Sequence, residues 1–64
     1  MTKEEMRMYR ILLGLTQRQL AEVMGYSNAH YISAIEGGSR TMSLQGQKLI
    51  EAYLAGYRPR DWPK

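Results

Sequence analysis

The chain predicts a compact all-α fold of four helices, with a short C-terminal turn as the one addition that would make five. Apolar residues recur at three- and four-residue spacing in successive short runs, and each run opens on a residue whose side chain can cap a helix and closes on a glycine. No cysteine and no Cys/His set at metal spacing is present, so neither disulfides nor a metal hold the fold, and packing of helices must do so. At 64 residues there is one domain, with a total stability of about 3 to 10 kcal/mol.

The first helix is expected over residues 3–13. Thr2 caps it, Glu5 completes a capping box, Met6, Tyr9 and Leu13 face inward, and Gly14 stops it. The second runs over 17–24, capped by Thr16 with Glu5's counterpart at Gln19. Leu20, Ala21 and Met24 form its apolar stripe, and Gly25 is its left-handed stop. Ser27 or Asn28 caps a third helix over 29–36, which turns Ile32 and Ile35 inward until Gly37 ends it. After a loop at 37–42, Ser43 caps the fourth, whose apolar content is Leu44, Leu49, Ile50, Tyr53 and Leu54, and Gly56 ends it. Gly46 inside this helix costs about 1 kcal/mol relative to alanine and marks a place for close helix approach. Residues 1–56 then form the domain, and residues 57–64 an irregular tail set by Pro59 and Pro63, with Tyr57 and Trp62 too apolar for it simply to wave in water. Met8, Ile11 and Leu12 lie off the inward stripe of the first helix, giving it a second apolar face that the tail or a second copy of the chain must cover.

Residues 16–36 are thus two short helices about a glycine turn, a helix-turn-helix. The stretch resembles the lambda-repressor-like family of DNA-binding domains (phage repressor and Cro, XRE-type) over about Met6 to Leu54. Gly14-Leu15-Thr16-Gln17 matches the family's opening, Leu20-Ala21 its first motif helix, Gly25 its turn, and Ile35-Glu36-Gly37 its close. One departure stands out: the family places the first inward residue of the recognition helix six positions after the turn glycine, whereas Ile32 lies seven after Gly25. Asn28 then becomes the cap, the turn lengthens, and the register of base-contacting positions is open by one residue.

The resemblance implies a domain that lays its second motif helix in the major groove of double-stranded DNA, where each base pair shows a distinct donor and acceptor pattern. Asn28, Ala29, His30 and Tyr31, with Ser33 and Ala34 one turn on, are the candidates for base edges. Asn pairs with adenine and Ala meets a thymine methyl; the plainer roles are that Asn28 only caps and Tyr31 only packs. The resemblance carries a phosphate contact to Gln17, at the positive end of its helix. Arg18, Arg40, Thr16 and Ser27 are further phosphate candidates, Arg40 foremost. It also implies a structural ion pair between Arg10 and Glu36.

A net charge of +3 suits an anionic partner without establishing one. Met1-Thr2-Lys3-Glu4-Glu5 is too acidic for a secretory leader and no apolar run reaches membrane-spanning length, so a cytoplasmic protein is expected. His30 is the sole histidine, with no nucleophile or carboxylate pair at useful spacing, and Gly37-Gly38-Ser39 follows a helix and lacks the lysine of a nucleotide loop. No enzyme, cofactor, metal or small-molecule ligand is therefore expected. The expected function is a transcriptional regulator, a small phage or mobile-element autorepressor binding an inverted-repeat operator as a homodimer. Its dimer surface would be Tyr53, Leu54, Tyr57 and Trp62, with Met8 and Leu12 as partner or alternative. The rival is a protein-interaction module, such as an antitoxin or adaptor, built on the same helices.

Overall fold

Hydroxyl caps set where three of the helices begin. Thr2 Oγ1 accepts from the Glu5 N–H at 3.0 Å while the Glu5 carboxylate accepts from the Thr2 N–H at 2.7 Å. Thr16 and Gln19 repeat the exchange at 3.0 and 2.9 Å, and Ser43 Oγ accepts from the Gly46 N–H at 3.1 Å. Each cap satisfies a backbone donor that has no partner inside its helix, for about 1 kcal/mol. The resulting helices, in a computed structural model that describes residues 1–63, are α1 (Lys3–Leu12), α2 (Gln17–Met24), α3 (His30–Gly37) and α4 (Leu44–Leu54). No strand occurs among the described residues, and Lys64 of the expected tail lies outside them.

The boundaries of α3 differ from expectation at both ends. Asn28 Oδ1 accepts from the His30 N–H at 2.8 Å, closing a turn one residue ahead of the helix, so that Ala29 holds the cap position without a side-chain bond. At the far end Gly37 stays helical, and Gly38 takes the left-handed backbone with φ +88°. The Ser39 N–H then reaches the Ala34 carbonyl at 3.0 Å, the pairing that terminates many helices at such a residue.

The core takes at least one fully buried side chain from every helix: Met6 from α1, Leu20 from α2, Ile32 from α3, Ile50 and Tyr53 from α4. Each contributes about 1.5 to 3 kcal/mol by leaving water. α3 packs against both α1 and α2 and so sits across them. Ile50 and Tyr53 occupy the inward face of α4, and Leu44 and Leu54 of its apolar content stay exposed. One expectation for α4 fails. Gly46 makes room for a loop side chain and not for a helix, since a Cβ there would stand 2.8 Å from Cγ and Sδ of the buried Met42.

The tail folds back onto its own chain in a turn, without a fifth helix. Trp62 donates its backbone N–H to the Pro59 carbonyl at 3.1 Å, sets its ring edge-on to Tyr53 at 5.0 Å, and lies under the Arg58 guanidinium at 4.2 Å. Tyr53 is 1 % exposed and donates its hydroxyl to the Val23 carbonyl at 3.3 Å, so it has no surface left for a second copy. Trp62 is half-buried against Tyr53 by the same packing. Neither covers the second face of α1, where Met8, Ile11 and Leu12 remain 49 %, 57 % and 69 % exposed.

One polar cluster ties the helices together. Arg10 donates through Nε to Glu36 Oε2 at 2.7 Å, through Nη2 to Glu36 Oε1 at 3.1 Å, and through Nη1 to the Leu15 carbonyl at 2.9 Å. Gln17 Nε2 adds a bond to Glu36 Oε1 at 3.2 Å. The two charged side chains are only 15 % and 7 % exposed, so each depends on the other to offset its desolvation.

Two stability experiments follow from these contacts. Arg10→Ala or Glu36→Ala strands a largely buried charge and is expected to cost about 3 to 5 kcal/mol, whereas Arg10→Met with Glu36→Leu together costs less than either alone. Thermal unfolding of the three variants checks this, and a double variant as unstable as the singles would contradict it. Burial, followed by the neighbouring Tyr57 and Tyr26, pushes the Tyr53 hydroxyl above its ordinary value. A folded-state value raised in this way gives stability that is complete below about pH 10 and is lost as pH rises through the folded-state value. Urea melts between pH 8 and 12 should show wild-type stability falling in that window and the fall reduced in Tyr53→Phe. Below it, the phenylalanine variant should be weaker by about 1 kcal/mol for the lost hydrogen bond.

Candidate nucleic-acid interface

The turn between α2 and α3 decides what α3 presents. Gly25 takes φ +87°, the Tyr26 N–H reaches back to the Ala21 carbonyl at 2.9 Å, and the Asn28 turn follows directly. The extra residue is absorbed there, before the helix starts. With Ile32 at 0 % and Ile35 at 4 % exposure, the outer face of α3 is His30 and Ser33, one turn apart and both exposed. Ser27 and Asn28 are exposed just ahead of them, while Ala29, Tyr31 and Ala34 are half-buried on the flanks. The buried Ile32 and Ile35 thus set which side chains α3 turns outward.

Tyr31 packs within the turn. Its ring meets Tyr26 edge-on at 4.7 Å, and the Arg40 guanidinium carbon lies 5.5 Å from its centre. Arg40 therefore runs back from its loop along α3, held by a cation–π contact. Tyr26 had not stood out as a functional residue in the sequence; an aromatic immediately after a turn glycine, five residues before a second aromatic, is the pattern that could have marked it. Asn28 spends its oxygen on the His30 N–H and keeps its amide NH2 for another acceptor.

The phosphate candidates are arranged less uniformly. Gln17 is half-buried with its amide on Glu36, although its backbone N–H still heads α2, and Thr16 uses its hydroxyl in the capping box. Arg18 is exposed and meets Glu22 at 3.3 Å on the same helix face, a pair worth little in water. Ser27 and Arg40 are exposed.

The distribution of charge is more telling than its sum. From Val23 to Ile50 the chain has one carboxylate, Glu36, and that one is enclosed by Arg10. The turn, α3 and the loop after it thus carry no uncompensated negative charge, which lowers the electrostatic cost of approaching a polyanion. The gap between acids is visible in the sequence, but that Glu36 is neutralised inside requires the fold. Among the described residues no group of His, Cys, Asp and Glu is placed to hold a metal ion, and no helix is long and apolar enough to cross a membrane.

No curated protein and no solved structure matches the chain. A family model described as helix-turn-helix matches residues 6–53, which takes in α2 and α3 whole, most of α1 and all but the last residue of α4. With that match over an α3 whose one acid is enclosed by Arg10 and whose His30 and Ser33 face outward, the chain belongs to the lambda-repressor-like, XRE-type helix-turn-helix family of DNA-binding transcription regulators.

Proposed function

We propose that the chain is a sequence-specific repressor of transcription, a small phage or mobile-element autoregulator that binds an inverted-repeat operator in double-stranded DNA as a homodimer. The observation that carries this reading is the outer face of α3 and the turn before it, where His30 and Ser33, with Asn28 just ahead, stand exposed on a stretch without uncompensated acid. In the major groove Asn28 offers its amide to an adenine or guanine acceptor, His30 and Ser33 donate to base edges one turn apart, and Ala29 meets a thymine methyl. Tyr31 serves as a support, not as a free ring. Gln17, Arg18, Arg40, Thr16 and Ser27 take the flanking phosphates, which set orientation without reading sequence.

Size supports a dimer. The longest dimension of the chain is 29 Å, short of the roughly 34 Å between successive major grooves on one face of B-form DNA. One copy therefore reads one half-site, and a two-fold pair reads an inverted repeat. With Tyr53 and Trp62 turned inward, the apolar residues free to join two copies are Leu54 and Tyr57, with Met8 and Leu12 of α1 as partner or alternative. The exposed trio Met8, Ile11 and Leu12 also favours a second reading, a protein-interaction module of the antitoxin or adaptor kind. The two separate on whether duplex DNA is bound in a salt-dependent way and released by a Gln17→Ala, Arg40→Ala double variant.

Selection of bound sequences from random duplexes tests the base contacts. Alanine at Asn28, His30 or Ser33 should change which sequences are selected, each good contact discriminating by about 1 to 3 kcal/mol. Three variants that select the parental site with undiminished discrimination would remove this face of α3 from the groove. For the dimer, Leu54→Lys with Tyr57→Lys, compared with Met8→Lys with Leu12→Lys, should convert a sedimenting pair to single chains in at least one case. That variant should lose operator affinity by far more than affinity for scrambled DNA. A one-to-one complex on a single half-site, formed as tightly as on the full repeat, would refute the homodimer.

A further inference from the structure

We propose that Lys3, which opens α1 far from the helix-turn-helix in sequence, is a DNA-backbone contact, and that Lys3 and Arg40 together line a groove at the C-terminal end of α3 that receives a phosphate. The inference rests on the DNA reading above and adds a binding site to it.

The first observation is where the Lys3 side chain goes. A Cβ built on Gly38 would lie 3.1 Å from Lys3 Cδ and 3.5 Å from its Nζ, so the lysine stem crosses directly over the residue that ends α3. The absence of a side chain at Gly38 leaves it that path. The second is the lining of the groove so formed: Thr2, Lys3, Ile35, Gly38, Arg40 and Thr41 contribute, beside Met1, and no carboxylate is among them. Among the described residues the carboxylate pairs are Arg10 with Glu36 and Arg18 with Glu22, which leaves Lys3 and Arg40 without one. A groove lined by Lys3 and Arg40 and by no carboxylate favours an anion.

A purely structural role for Lys3 is to neutralise the carbonyl end of α3. Two of those carbonyls already have partners, however. The Ala34 oxygen accepts from the N–H groups of Ser39 at 3.0 Å and Arg40 at 3.3 Å, and the Ile35 oxygen from Gly38 at 3.1 Å. The Lys3 ammonium makes no hydrogen bond among the described residues, so its donors are free for a ligand. Arg40 names the ligand class, because its guanidinium also rests on the ring of Tyr31, 5.5 Å away on α3. An anion that shares Lys3 and Arg40 therefore runs beside the recognition helix, as a DNA strand does when that helix fills the major groove.

The test uses the full chain, a duplex taken from the sequence selection and a scrambled duplex, with binding measured as a function of salt. Each phosphate contact contributes about 0.9 to the slope of log affinity against log salt. Lys3→Gln should lower the slope by about that amount on both duplexes, Arg40→Gln likewise, and Lys3→Arg should leave it at the wild-type value. Lys3→Met keeps the stem over Gly38 and removes only the charge, so it gives the same reading if the glutamine variant melts early. A scan of single uncharged methylphosphonate linkages should then find a position that weakens the wild type but not Lys3→Gln. An unchanged slope in Lys3→Gln and Lys3→Met, with salt-dependent binding intact in the wild type, overturns this inference alone and leaves Lys3 as a counter-charge of the helix end. A wild-type chain that shows no salt-dependent binding to either duplex overturns the DNA reading and this inference with it.

Discussion

The guanidinium of Arg10 donates to both carboxylate oxygens of Glu36 and to the carbonyl of Leu15, while Gln17 donates to the same carboxylate. Four segments meet at this cluster: α1 through Arg10, the following turn through Leu15, α2 through Gln17 and α3 through Glu36. Apolar contacts hold helices together without fixing their rotation, because a stripe of Ile and Leu side chains can slide by a rotamer at small cost. A two-pronged pair cannot, since both charges are largely out of water and only this geometry satisfies them. The rotation of α3 about its axis, and hence which residues it turns outward, depends on Glu36 staying where Arg10 holds it.

The same pair shapes the surface by what it removes. Glu36 is the one acid over the whole length from Val23 to Ile50, and it faces inward. The acids of α1 gather instead in its first turn, Glu4 and Glu5, where they suit the positive end of that helix. A chain of modest net charge can in this way offer one face free of negative charge without being strongly basic as a whole. A partner senses the local field, which in salt extends about 10 Å, and not the sum over the molecule.

Two aromatic and guanidinium groupings do contrasting work. Tyr26, Tyr31 and Arg40 lie on the side of α3 and keep an arginine extended along the helix; Tyr53, Trp62 and Arg58 lie at the end of α4 and close the tail onto the core. Both use the edge-to-face and cation–π preferences of aromatic rings, which fix geometry more sharply than bulk apolar burial does. The first leaves its arginine available to a ligand. The second consumes Tyr53 and most of Trp62, and so moves any joining surface outward to Leu54 and Tyr57, or across to the uncovered side of α1.

The amino-acid sequence by itself determined the four helices and most of their ends, because caps such as Thr2 with Glu5 and Thr16 with Gln19 and the spacing of Leu20, Ile32 and Ile35 act within a few residues of chain. It also determined the family, through residues 14–17, 20–21, 25 and 35–37 read as a pattern. Where two local devices competed, as at Asn28 against Ala29 or Gly37 against Gly38, the boundary moved by one residue, for each neighbour could have closed the helix. The tertiary structure decided everything that rests on residues distant in the chain: that Trp62 covers Tyr53 and not Met8, that Gly46 admits Met42, that Arg40 reaches Tyr31, and that Lys3 lies across Gly38. Local propensity is set by a residue and its near neighbours, whereas the burial of a side chain and the partner it meets are set by how all four helices pack at once, and no short window of sequence contains that information.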